Sequence, residues 1–249
     1  MVVCVVSAFY RMPSKLPISE YLKYMEPFFR ASTFPLVLFT EPELVPVFAE
    51  WRKEQMDKTI LIALPPEEFV ARKYNWLLQN IKDKEENHSP ELYAIWYEKK
   101  EFVLRAIALK AFGATSFVWC DAGILRIPQW LPHIKAFPLE ERIEPGKMTL
   151  LQIVDFAEGE TAETNFRDEN RIGGGIQAAD AATWIWWAEQ YDVMVQKYLA
   201  SDKFIGKDQS IMAACCLTFP DRVKKVKPHL ELHPYAQWFW LLLWLSGFD

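Results

Sequence analysis

Short, nearly continuous apolar runs alternate along this chain with longer segments whose apolar positions recur at helical spacing. The short runs are Val2 to Val6, Pro35 to Thr40 (PLVLFT), Thr59 to Leu64 (TILIAL), Thr115 to Cys120 (TSFVWC) and Thr149 to Val154 (TLLQIV). Each is almost uncharged and too short for a helix, so each predicts a strand covered on both faces. Helices are predicted from Ile18 to Phe29, with Ser19 as a cap, after Glu41-Pro42-Glu43, and over Glu67 to Ile81. Between Tyr93 and Arg126 the pattern is helix, turn, strand. Phe102, Ala106 and Leu109, with Val103 and Ile107, form one apolar face, and Gly113 ends it. Ala178 to Leu199, with Asp180 near its start, and Ile211 to Leu217 are the later helices. Strands alternating with helices predict βαβ crossovers and a parallel sheet, an α/β fold in a single domain.

The connecting segments are less regular. Lys82 to Pro90 reads as a surface loop with solvated charges, Ile127 to Gly146 as a proline-rich excursion, and Asp155 to Arg171 as a mobile acidic loop. Ile172-Gly173-Gly174-Gly175-Ile176 interrupts all local periodicity and reads as a turn, either a hinge or a close backbone approach to a ligand. It matches neither a dinucleotide fingerprint nor a P-loop.

The net charge of −5 and pI near 5.5 argue against nucleic-acid or anionic-membrane partners. Cys4, Cys120, Cys215 and Cys216 lie in apolar runs without metal-ligand spacing, so reduced thiols and a cytoplasmic location are expected. The stretch WFWLLLWL, residues 238–245, is too short to span a bilayer and is a candidate contact for a membrane surface or a partner.

Candidate chemistry gathers at strand ends, where open α/β sheets bind ligands. Asp121 stands where an apolar run stops, before the small residues Ala122 and Gly123; it either touches a ligand or bonds its own turn. Ser7-Ala8-Phe9-Tyr10 ends the first strand, and Lys207-Asp208-Gln209 either caps the next helix or turns a second carboxylate into the cleft.

Taken in order, the helix with Arg105, the strand end WCDAG, the IGGG segment, the long aromatic helix and GKDQS resemble nucleotide-sugar glycosyltransferases of GT-A fold. More narrowly, the chain resembles the HtrL/YibB-like family of glycosyltransferases, from VVSAFY to about Val226. The resemblance implies one GT-A-like domain with a mostly parallel sheet, residues 1–126 serving the nucleotide and 127–249 the sugar and acceptor. It implies transfer from a nucleotide sugar, foremost a UDP-sugar, to an unidentified acceptor. On it, Ser7, Ala8 and Tyr10 would hold base and ribose, and Arg105 would face the nucleotide rather than pair with Glu101. Asp121 would be the first Asp of the DxD motif, Gly173, Gly174 and Gly175 the turn beneath the sugar, and Asp208 and Gln209 neighbours of the anomeric carbon. Gly123 departs from the motif, standing where a second metal-holding Asp is expected. A Mn²⁺ or Mg²⁺ ion would then rest on Asp121 and a late histidine, His233 ahead of His229. Lys224, Lys225 and Lys227 are the alternative charges for the diphosphate. The competing implication is a catalytically silent GT-A-like module that binds a nucleotide sugar or glycan, with residues 238–245 as its interface.

Overall fold

The computed structural model describes residues 2–13, 17–229 and 231–249. Its strands are β1 (Val3–Phe9), β2 (Leu36–Thr40), β3 (Thr59–Ala63), β4 (Ser116–Cys120), β5 (Met148–Gln152), β6 (Ile172–Asp180) and β7 (Val223–Val226). They form one sheet ordered β3-β2-β1-β4-β6-β5-β7. All pairings are parallel except those of β6, which runs antiparallel to both β4 and β5. The five apolar runs thus become the first five strands of the chain, as their lack of charge requires once both faces are covered.

Helices α1 (Ile18–Ala31), α2 (Val45–Trp51), α3 (Trp76–Lys82), α4 (Pro90–Ala108), α5 (Ala181–Ala200), α6 (Asp208–Thr218), α7 (Pro234–Gln237) and α8 (Trp240–Trp244) flank the sheet. Alternate residues of β1 point into two separate cores. Cys4 and Val6 pack with Phe102, Trp184 and Ile211 of α4, α5 and α6, while Val3 and Val5 pack with Phe28, Phe48 and Leu242 of α1, α2 and α8. Ser89 caps α4 through its Oγ, with Pro90 at the first helical position. The chain then turns through Lys110 and Phe112, both at positive φ, and Gly113 at φ 63° before entering β4.

Several local expectations change. The glycine run is not a turn: it lies inside β6, and α5 begins only at Ala181, with Asp180 accepting the Thr183 amide as its cap. The Glu67 to Ile81 pattern breaks into 3₁₀ turns and the short α3; Phe69, Ala71 and Trp76 enter the core, while Leu77, Leu78 and Ile81 are exposed. Pro17, not Ser19, occupies the cap position of α1. The acidic segment after β5 is tied down by buried Phe166 and by a 2.7 Å ion pair between Arg171 and Glu160, against the expectation of a mobile loop.

Residues 238–245 are also not a free apolar surface. Leu241, Leu242, Leu243 and Leu245 are buried in the core beneath the sheet. Among the described residues no helix is long and apolar enough to cross a membrane.

Candidate active site

β1 and β4 are neighbours whose next strands, β2 and β5, lie toward opposite edges of the sheet, and their C-terminal ends open into a cleft of about 550 Å³. Tyr21 of α1, Trp96 and Lys99 of α4, the Gly174-Gly175 segment, and Tyr235 and Trp238 around α7 are among its walls.

Lys99 forms the floor. Its Nζ lies 3.1 Å from Asp121 Oδ1 and 2.9 Å from Asp208 Oδ2, and donates to the Gly174 carbonyl at 2.9 Å. The Trp119 ring centroid is 5.8 Å from the same ammonium, while Trp119 Nε1 donates to Asp121 Oδ1 at 2.8 Å. Asp208 Oδ1 accepts the Gln209 amide at 2.8 Å, and Gln209 Nε2 donates to the Ile172 carbonyl at 3.0 Å. Asp208 Oδ2 is buried and meets Lys99 as an ion pair without hydrogen-bond geometry, so no described group donates a hydrogen bond to it. Two carboxylates share one ammonium, which leaves the floor net negative.

The electrostatics follow from this. Burial pushes the Asp121 carboxyl up, Lys99 pulls it down, Asp208 pushes it up again, and the net direction is upward. Burial works against the Lys99 charge, yet Asp121 and Asp208 outweigh it and hold the ammonium above the ordinary lysine value.

The glycines of β6 explain how strand and floor meet. The β5–β6 register jumps from Leu150 opposite Gln177 to Leu151 opposite Gly173, so residues 174–176 bulge away from β5. That frees the Gly174 carbonyl for Lys99, while the Gly175 carbonyl accepts the Asp121 amide at 2.8 Å. A Cβ on Gly174 would stand 2.6 Å from Asp208 Oδ2, and one on Gly175 2.9 Å from Ile124 Cδ1. Close approach, rather than positive φ, is what demands glycine here.

Of the residues singled out from the sequence, Ala8, Tyr10, Asp121, Gly174, Gly175, Asp208 and Gln209 line the cleft. Ser7 is buried instead and staples β1 to β4 through a 2.7 Å bond to the Cys120 carbonyl. Gly173 packs against Leu151. Arg105 lies outside the cleft lining, its Nη2 donating to the Glu68 carbonyl and standing 3.8 Å from Glu98, not Glu101. His233 is exposed and caps α7 by accepting the Tyr235 amide; it is not among the lining residues. His229, Lys224, Lys225 and Lys227 border a separate hollow, where Lys224 pairs with Glu144 and Lys227 with Asp155.

Sequence reasoning missed Lys99, although extending the Phe102–Val103–Ala106 face one turn toward the N-terminus lands on it. It also missed Arg126 and His88, both of which line the cleft. The stretch around His88 is not a solvated loop: the Asp83 side chain is 1% exposed, 2.8 Å from His88 Nδ1 and from the Tyr93 hydroxyl. Lys207 Nζ lies 2.6 Å from Glu85 and 4.0 Å from Asp83.

No family model matches the chain, and no curated protein matches it in sequence. Solved structures do match it. Mouse xyloside xylosyltransferase 1 in its apo form superposes with a TM-score of 0.52 at 11% identity, over 98% of this chain and 94% of that one. Core-mannan synthase A from Aspergillus fumigatus, in a Mn/GDP form, superposes with a TM-score of 0.53 at 10% identity, over 90% of this chain and 72% of that one.

The fold is of the GT-A glycosyltransferase type. In this GT-A fold the donors available to a divalent cation differ from the expected pair. Asp121 is held by Trp119 and Lys99, Gly123 offers no side chain, and His233 is committed to capping α7. Of the expected pair, Asp121 lines the cleft and His233 is not among its lining residues. Asp83, Glu85 and His88 do converge as metal-ligating types beside the cleft, with Lys207 already among them as a counter-charge.

Proposed function

We propose that this chain transfers a glycosyl group from a nucleotide sugar to an acceptor hydroxyl, with a UDP-sugar as the first donor to test. The reading keeps the resemblance to the HtrL/YibB-like family and rests on one observation: Asp121 and Asp208 joined through Lys99 at the floor of a cleft at the β1 and β4 ends. In this reading the nucleoside lies along Ala8 and Tyr10. Asp121 accepts a ribose hydroxyl, and the sugar lies over Gly174 and Gly175 beside Asp208 and Gln209. Lys99 fixes both carboxylates in place, so they need no reorganisation as charge shifts toward the leaving diphosphate. Aromatic walls such as Trp96 and Trp238 help exclude water that would compete with the acceptor.

The second reading, a module that binds a nucleotide sugar without turning it over, is favoured by Gly123 and by the absence of His233 from the cleft lining. A panel of nucleotide sugars separates the two. Thermal shift with and without Mn²⁺ identifies the donor, a true ligand at ~100 times its Kd raising stability by about 2.7 kcal/mol. Release of free sugar or of nucleoside diphosphate then marks the enzyme. Binding without release in any acceptor mixture leaves the module, and no binding at all ends both.

A further inference from the structure

We infer that Arg126 is the anion anchor of the cleft, the side chain that takes the donor's diphosphate; this rests on the nucleotide-sugar reading above. The floor cannot serve, because Lys99 is already shared by two carboxylates. Among the described lining residues the lysine and arginine side chains are Lys99 and Arg126 alone. Arg126 has no carboxylate partner at ion-pair distance among the described residues. Its Nε donates to the Gly123 carbonyl at 2.7 Å, and neither Nη atom has a described acceptor.

The guanidinium is nevertheless held in place, its carbon 5.0 Å from the Tyr21 ring centroid and 4.7 Å from that of Tyr24. A planar fork with both outer nitrogens free, stacked on aromatic faces and open to a cleft, is the arrangement that grips phosphate oxygens in pairs.

Gly123 supplies the independent argument. It is not at positive φ, and a Cβ there would meet Arg126 Nη2 at 3.4 Å, an ordinary contact. Nothing in the backbone requires glycine. An acidic side chain at that position would lie against the guanidinium and neutralise it. The absent second carboxylate and the unpaired Arg126 are therefore one feature: the site places a fixed cation where a metal-holding acid is expected.

The test measures UDP, GDP, uridine and guanosine binding in EDTA to the parent chain, Arg126→Gln and Gly123→Asp, repeated for the parent in Mn²⁺, with melting temperatures as the folding control. The expected result is that the parent binds a nucleoside diphosphate more tightly than its nucleoside. Arg126→Gln should cut that ratio about 10- to 100-fold while nucleoside affinity stays within about twofold. Gly123→Asp, which leaves Arg126 itself in place, should cut the ratio in the same direction. An unchanged ratio in Arg126→Gln overturns the inference and spares the nucleotide-sugar reading, as does parental diphosphate binding that EDTA abolishes. A parent that binds none of the four ligands in either EDTA or Mn²⁺ overturns both.

Discussion

Two lysine-centred clusters are linked through the chain, the consecutive residues Lys207 and Asp208 belonging one to each. Lys99 gathers Asp121 and Asp208 at the cleft floor, while Lys207 sits with Glu85 and Asp83, and Asp83 holds His88. In each, a nearly buried lysine faces two acids, yet Asp83 and Asp121 shift in opposite directions. Burial alone would raise the Asp83 carboxyl, but His88, the Glu85 amide and Tyr93 outweigh it and hold it below the usual range. Asp121 has a smaller set of donors, feels Asp208, and stands above the usual range although its side chain keeps 39% exposure through the cleft. A carboxylate fully supplied with donors is a structural joint. One left short of them at a cleft floor is available to a ligand.

The largest break comes from removing the shared cation. Lys99→Met keeps much of the side chain's volume but strands Asp121 and Asp208 near each other without a counter-charge. The expected loss is about 3–5 kcal/mol in urea denaturation, with donor binding abolished. Parent-like stability would mean that the floor is not held together by charge.

Gly174→Ala should come next, because its Cβ would enter the space of Asp208 Oδ2 at 2.6 Å. Overpacking of this kind costs about 1–3 kcal/mol. Asp208 would be pushed off Lys99, so turnover should fall more than nucleoside diphosphate binding does. The same substitution at Gly123, whose Cβ has ordinary room, should leave stability unchanged.

The Lys207 cluster predicts a pH dependence of defined sign. A carboxyl lowered in the fold contributes stability that is present above the unfolded value of about 3.9 and is lost as pH falls through the folded value. Asp83→Asn should therefore cost about 1–3 kcal/mol at neutral pH and flatten the acid limb of the stability–pH curve. An acid limb identical to the parent's would remove Asp83 from the account.

The parts legible in the sequence are those governed by burial alone. TSFVWC became β4 because a run with no charge has to be covered on both faces, and Asp121 was visible as the residue where that run stops. β6 was hidden because its glycines have no side chains to show alternation, and its place depends on carbonyls offered to Lys99 and to the Asp121 amide. Lys99 was passed over, and Asp83 was read within a segment of solvated charges, because a pattern weighing hydrophobicity cannot register a buried partner. His233 and Arg105 were placed by resemblance; their positions here follow from a helix cap and a loop carbonyl, which no motif encodes.

The smallest expected change in stability is also the sharpest probe of the contrast between the clusters. Asp121→Asn keeps an oxygen to accept from Trp119 Nε1, and Lys99 retains Asp208 as its counter-ion. Because the Asp121 carboxyl is raised in the fold, its charged form contributes a penalty that sets in as pH rises through the folded value. Removing that charge should thus leave neutral-pH stability equal to the parent's or slightly above it, the opposite of Asp83→Asn. Ligand binding should respond in the reverse order, lost in Asp121→Asn and nearly retained in Asp83→Asn. Paired chemical denaturation and nucleoside diphosphate titration of both variants decide it. Two variants that lose stability and binding in the same proportion would show that the clusters form one structural unit, with no division between joint and site.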